Sequence, residues 1–196
     1  LRRATNYLRK AQRLTGYASM PRYWNRINGL QKQILNDTAA QIIQFAKQHH
    51  VHTIVFEYLD KMRLPKGVYG AKKLRFKLRY WAKKGIQNKV EEMAHYEGMR
   101  ISRVNPRNTS KYAFDGSGEV KRSPRGDLAI FSNGKQYHAD LSASYNIGAR
   151  YFIREIQKSI SEKEWSALSA KVPTLTTRTK QTLASFITLR TVFSFS

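Results

Sequence analysis

Apolar residues recur every three or four positions along much of this chain, and that spacing predicts helices. Trp24, Ile27, Leu30, Ile34, Leu35, Thr38, Ile42 and Phe45 form one such stripe, so a helix is expected from about Tyr23 to His49. Leu74, Leu78, Trp81, Ile86, Val90 and Met93 form another over about Ala71 to Tyr96, with Gly98 as its stop. A shorter basic helix is expected over Ala4–Leu14, set apart by a break at Gly16–Pro21. Two runs interrupt the helical period. Val51-His52-Thr53-Ile54-Val55-Phe56 is β-branched and aromatic and too short for a helix, so it reads as a buried strand that ends at Glu57. Met99–Val104 reads as a second strand, closed by Asn105-Pro106.

Residues 105–138 place Gly116, Gly118, Gly126, Gly134 and Pro124 among Ser and Asn, which suits turns and short strands. A helix follows from Asp140 to about Ile156, with Asp140 as a candidate N-cap. Its apolar side is expected to carry Leu141, Tyr145, Gly148, Ala149, Phe152 and Ile156. The Ser/Thr-rich tail suggests short helices near Glu162–Ala170 and Lys180–Leu189. The order helix, strand, helix, strand, small β insertion, helix predicts an α/β layer fold with the two strands parallel. Two strands are too few for a sheet with helices on both faces, so either further strands lie upstream or the fold is incomplete.

Composition narrows the partner. The 196 residues include 36 Lys and Arg against 13 Asp and Glu, a formal charge of +23. Such a chain suits a polyanion, nucleic acid ahead of an anionic membrane. The hydrophobic share of 41% argues against disorder, and the lack of cysteine excludes disulfides, thiolate metal sites and a Cys nucleophile. No apolar run approaches the ~18–20 residues of a membrane span, and Leu1-Arg2-Arg3 opens no signal-peptide pattern. Residues 61–90 hold 11 positive charges and no acid. Within them Lys72, Lys73, Arg75, Lys77, Arg79, Lys83 and Lys84 alternate with Tyr69, Phe76 and Tyr80. A solvated helix face is the alternative, but with no acid to balance the charges nucleic acid is favoured: cations gain from counterion release at phosphates and rings stack on unpaired bases.

Glu57 closes a hydrophobic strand and Asp140 opens a helix. Catalytic groups gather at the carboxyl ends of strands in α/β sheets, where carboxylates can hold Mg²⁺ for phosphodiester cleavage. On spacing alone, a solvated strand end and a helix cap stay open for the pair, and Asp37 and Asp60 are near alternatives to Glu57. His49, His50, His52, His95 and His138 show no metal-ligand spacing, though His138 lies close to Asp140.

Three segments together resemble one family. Ile54-Val55-Phe56-Glu57-Tyr58-Leu59 resembles the strand bearing the second catalytic carboxylate of TnpB proteins. These are transposon-encoded, RNA-guided nucleases of the OrfB type, related to type V CRISPR effectors. Arg103-Val104-Asn105-Pro106-Arg107-Asn108-Thr109-Ser110 is similar to the strand and Thr-Ser approach to that family's zinc ribbon. Asn133-Gly134-Lys135-Gln136-Tyr137-His138-Ala139-Asp140-Leu141-Ser142-Ala143-Ser144-Tyr145-Asn146-Ile147 resembles its third catalytic motif, in which an Asp opens a helix and an Asn-Ile pair follows. The likeness covers roughly residues 20–157.

The resemblance implies a partial RNase H-like (RuvC-like) α/β fold over residues 1–104 and 139–158. It also implies a cysteine-less ribbon-like insertion over 105–138 and a tail over 159–196 that is helical or partly disordered. Glu57 and Asp140 would be Mg²⁺ ligands in DNA hydrolysis. Lys72, Lys73, Arg75, Lys77, Arg79, Lys83, Lys84, Arg107, Thr109 and Ser110 would contact nucleic acid. DNA and a guide RNA are the implied partners, with no membrane, in a prokaryotic cytoplasm at the nucleoid. Two departures stand out. The family's first catalytic Asp, in an Asp-x-Gly strand, has no counterpart, so the first strands are expected upstream and this chain alone is expected to cut little DNA. The ribbon's paired Cys positions hold Ala113, Gly116, Ile130 and Asn133, so no zinc is expected. Tyr112, Phe114, Leu128, Ile130, Phe131 and Tyr137 would hold the loop instead. The alternative is a non-catalytic nucleic-acid-binding protein of the same fold.

Overall fold

A computed structural model of the chain describes residues 1–17, 19–58 and 71–194, with the backbone alone for 71–81 and 194. Its elements are α1 (Arg2–Thr15), α2 (Pro21–Gln48), β1 (Thr53–Glu57), α3 (Ala71–Tyr96), β2 (Arg100–Val104), β3 (Lys121–Arg122), β4 (Leu128–Ile130), β5 (Gln136–His138), α4 (Ala139–Ser159), α5 (Glu162–Lys171) and α6 (Leu183–Ser194). The fold is α/β. It divides into two compact units, one of Leu1–Ile54 with Met62–Ile101, the other of Val55–Lys61 with Ser102–Ser196.

In the first unit, Gly16 ends α1 at φ 70°, a left-handed conformation that lets its N–H reach the Gln12 carbonyl. Pro21 opens α2, where its missing N–H has no helical partner to lose. Helix α2 buries Ile27, Gln31, Ala39, Ile43 and Ala46, and α3 buries Val90 and Ala94. This face is rotated from the predicted stripe: Trp24, Ile34 and Phe45 are 38%, 43% and 62% exposed. Small side chains explain the rotation. Ala39 and Ala46 admit a close neighbour, and Leu35 Cδ1 lies only 3.0 Å from where a Cβ on Gly85 would stand. At the start of the strands, the Arg100 N–H donates to the His52 carbonyl at 2.8 Å.

In the second unit, the Tyr58 N–H donates to the Val104 carbonyl at 2.8 Å. The partners of β1 and β2 advance together along both strands, so the pair is parallel, as predicted. Strands β3, β4 and β5 form an antiparallel meander, with Lys121 opposite Ile130 and Ala129 opposite Tyr137. Ala113, Ala129, Phe131 and Ala139 form its buried centre, with Phe114, Val120 and Tyr137 packed on it. The Phe114 ring lies 5.3 Å from Phe131 and 4.9 Å from both Tyr137 and Tyr145. Leu128, expected in this core, is instead 36% exposed. Side chains alternate along β4, so burying Ala129 turns Leu128 and Ile130 to the other face.

A polar bridge joins the turn before β3 to the turn between β4 and β5. Asp115 accepts from Asn133 Nδ2 at 2.8 Å and from the Ser117 N–H at 3.0 Å. Burial pushes the Asp115 carboxyl up, but these bonds and Lys135 outweigh it and hold the group below its ordinary value of 3.8. A depressed folded pKa stabilises the fold above the unfolded value and loses that contribution as pH falls through the folded one. Asp115→Ala is expected to cost about 1 kcal/mol at neutral pH. In urea unfolding, the gap from the parent should close as pH drops below 3.8. A gap that does not change with pH would show that the carboxylate charge is idle.

Among its described residues the tail holds α5, two short 3-10 turns at Pro173–Leu175 and Arg178–Lys180, and α6. Ser161 and Glu164 form a reciprocal cap at the start of α5. Ile153 of α4 packs with Leu168, Val172, Leu175 and Leu189, with Trp165 and Phe186 against them. The expected helices at Glu162–Ala170 and Lys180–Leu189 are present as α5 and, starting later, α6.

Candidate active site

Glu57 is the last residue of β1 and is half-buried. The bond from Tyr58 to Val104 fastens this strand end to the end of β2. Asp140 is exposed in the first turn of α4. It is not the cap predicted for it: His138 holds that position, and no side chain caps the helix. A carboxylate one turn inside still gains from the unpaired N–H groups of a helix start. Both carboxylates belong to the second compact unit.

Helix α4 is fixed by three polar side chains on its inner face. Arg154 donates to the Arg103 carbonyl at 2.9 Å and to Ser102 Oγ at 2.6 Å. Arg150 donates to the Asn105 and Arg107 carbonyls, both at 2.8 Å, and to the Thr179 carbonyl at 2.9 Å. Asn146 donates from Nδ2 to the Thr109 and Tyr112 carbonyls at 3.0 and 2.9 Å. The helix therefore runs back along the segment that follows β2. At its start, the Ala139 N–H donates to the Asp127 carbonyl at 2.7 Å. Ala139 is itself buried in the core of the β3–β5 meander, so that meander and the segment after β2 together set where Asp140 stands.

Arg150 is 6% exposed, and burial pulls its pKa down to about 10, so it remains charged at neutral pH. Only the fork of a guanidinium can reach so many carbonyls at once. Arg150→Lys keeps the charge and loses the fork, and it should lower unfolding free energy by about 1–2 kcal/mol in denaturant titrations. An unchanged midpoint would mean that the carbonyls find other partners.

The remaining predicted contacts divide by burial. Lys83, Lys84, Arg107 and Ser110 are exposed. Thr109 is not: it is 2% exposed and its hydroxyl donates to the Pro106 carbonyl at 2.9 Å, so it serves the turn and faces no ligand. The side chains of Lys72, Lys73, Arg75, Lys77 and Arg79 lie outside the described residues. Among the described residues, no group of three or more His, Asp or Glu side chains is placed to hold a metal ion. Arg150 and Arg154 escaped the sequence reading, although polar residues at 142, 146, 150 and 154 carry the four-residue spacing of a single helix face.

Comparison with known proteins agrees with these motifs. A TnpB-like protein of Aquifex aeolicus (strain VF5) is 33% identical over 150 residues, which cover 71% of this chain. The chain is a relative of the TnpB-like proteins. A TnpB-like protein of Acidianus two-tailed virus is 31% identical over 84 residues, or 41% of this chain and 18% of the viral protein. The solved structure of a Cas12f1–sgRNA–target DNA complex holds a chain of similar fold, with TM-score 0.52 and 20% identity over 73% of this chain and 40% of that one. This TnpB relative thus spans about half (48%) of the Aquifex protein. No protein-family model matches it. Among the described residues of this TnpB relative, no helix is long and apolar enough to cross a membrane.

Proposed function

We propose that this chain is the C-terminal part of a TnpB-type DNA endonuclease, with an RNase H-like catalytic fold directed to its target by a guide RNA. The observation that carries this reading is the setting of two carboxylates in one compact unit: Glu57 at the carboxyl end of a parallel strand, Asp140 in the exposed first turn of a braced helix. The kinship with TnpB-like proteins supports it, and the fold neighbour was solved with an sgRNA and target DNA. The net charge of +23 suits two polyanionic partners.

Carboxylate oxygens are the hard ligands that Mg²⁺ takes, so the donor chemistry of Glu57 and Asp140 fits that ion. Mg²⁺ held there would activate water and stabilise the leaving oxygen. The chain's own part is to present the two carboxylates on fixed elements and to bind the strands with exposed cations such as Lys83 and Arg107. The ribbon, with Ala113, Gly116, Ile130 and Asn133 in place of thiolates, serves as a zinc-free brace for α4.

The test is cleavage of guide-matched DNA by the natural reading frame that contains this sequence. Cutting that needs Mg²⁺ and the guide, and that stops in EDTA, is the expected result. Tight nucleic-acid binding with no cutting would replace the enzyme reading with that of a non-catalytic binder. Cutting that ignores EDTA would remove the metal.

A further inference from the structure

A cavity of about 550 Å³ lies beside the second half of α4, away from Asp140. That is the size of ordinary small-molecule sites. Arg103, Arg150, Arg154, Lys158 and Arg178 line it, and no Asp or Glu does. Arg150 is the most deeply buried of these cations, and its hydrogen bonds go to backbone carbonyls, those of Asn105, Arg107, Thr179 and Gln181. Carbonyl dipoles solvate a guanidinium but carry no net negative charge, so its positive field persists in a desolvated wall. Outside the cavity lining, Glu155 is shared between Arg154 at 3.1 Å and Lys158 at 3.3 Å, one carboxylate for two cations. Arg178 is exposed at the rim, with no ion pair among the described residues.

The lining is not uniformly charged. Val104 and Ile153, 5% and 1% exposed, back it with an apolar wall, and Gln157 adds a half-buried amide with no hydrogen bond among the described residues. An inorganic anion would use neither. A phosphorylated group with an attached sugar and base would use both.

We propose that this cavity binds one nucleotide unit, its phosphate held by Arg154, Lys158 and Arg178 in front of Arg150, and its sugar or base facing the Gln157 amide and the apolar wall. The recognised chemistry is a phosphate ester, supplied by a residue of a nucleic-acid strand or by a free mononucleotide. The site uses neither Glu57 nor Asp140, so it goes beyond the nuclease reading and stands without it.

Calorimetric titration of the 196-residue chain in EDTA tests this, because no metal held by the carboxylates can then contribute. A nucleoside 5′-monophosphate should bind at least about tenfold more tightly than the same nucleoside, as charge-assisted bonds to phosphate require. Lys158→Glu with Arg178→Glu should erase that advantage. Lys163→Glu with Lys171→Glu, an equal charge change at exposed positions on α5, should leave it within about twofold, since distant surface charges are screened. Equal binding of nucleoside and monophosphate overturns the proposal. So does an equal loss in both double variants, which would mean a diffuse field in place of a site. A short oligonucleotide that displaces the monophosphate identifies the strand as the source. One that binds without displacing it identifies the free nucleotide.

Discussion

Asn146→Ala should lower the free energy of unfolding by about 3 kcal/mol or more, because each buried polar group left unpaired costs about 1–3 kcal/mol. Asn146 is 0% exposed. Its Nδ2 holds the Thr109 and Tyr112 carbonyls, and its Oδ1 accepts from the Leu183 N–H at 3.1 Å. One side chain thus ties the segment after β2 and the start of α6 to the same turn of α4. Truncation strands two acceptors and a donor in a place with little room for water. Asn146→Asp separates shape from hydrogen bonding. It keeps the acceptor for Leu183 but points a carboxylate at two carbonyls, so it should destabilise at least as much despite its near-identical volume. Guanidinium unfolding measures both variants. A loss below about 1 kcal/mol for Ala would mean that the loop re-pairs its carbonyls, and that the amide does not set the position of the helix.

The same column of residues shows why the sequence was only partly legible. The predicted apolar side of α4 included Leu141, Tyr145 and Phe152, yet these are 47%, 42% and 51% exposed. Ala149 is buried as expected, but the rest of the face is Ser142, Asn146, Arg150 and Ile153. Hydrophobic periodicity assumes that a helix packs on apolar neighbours. Here α4 packs on irregular backbone, whose carbonyls need donors more than they need methyl groups. In α2 the failure was of size: Ala39 and Ala46 displaced Phe45 and Ile34 from the contact. In β4 it was a shift of one residue, invisible in a three-residue strand. What was legible were the element ends, because Gly16, Pro21 and Gly98 act through backbone conformation alone, and with them the strand end at Glu57 and, to within two residues, the helix start at Asp140. The column of donors at 142, 146, 150 and 154 was also written in the chain, and its meaning depended on knowing that carbonyls face it.

Glu57→Gln and Asp140→Asn should each reduce DNA cleavage by the natural reading frame by more than roughly a hundredfold, the upper range for losing a group that merely supports a metal ligand. Both changes keep side-chain volume, exchange one carboxylate oxygen for an amide NH2, and remove the charge that would hold Mg²⁺. Asp140 is exposed and Glu57 half-buried, so neither change opens a core cavity. Binding of guide RNA and DNA should stay within about twofold, since the cations that supply it are untouched and its salt dependence is set by phosphate contacts. The double variant should be little worse than either single, because ligands of one ion act as a unit. This pattern differs from that of a folding defect, in which binding and cleavage fall together and the thermal midpoint drops. Cleavage that persists in both single variants would remove Glu57 and Asp140 from the chemistry and leave the chain a cationic scaffold for nucleic acid.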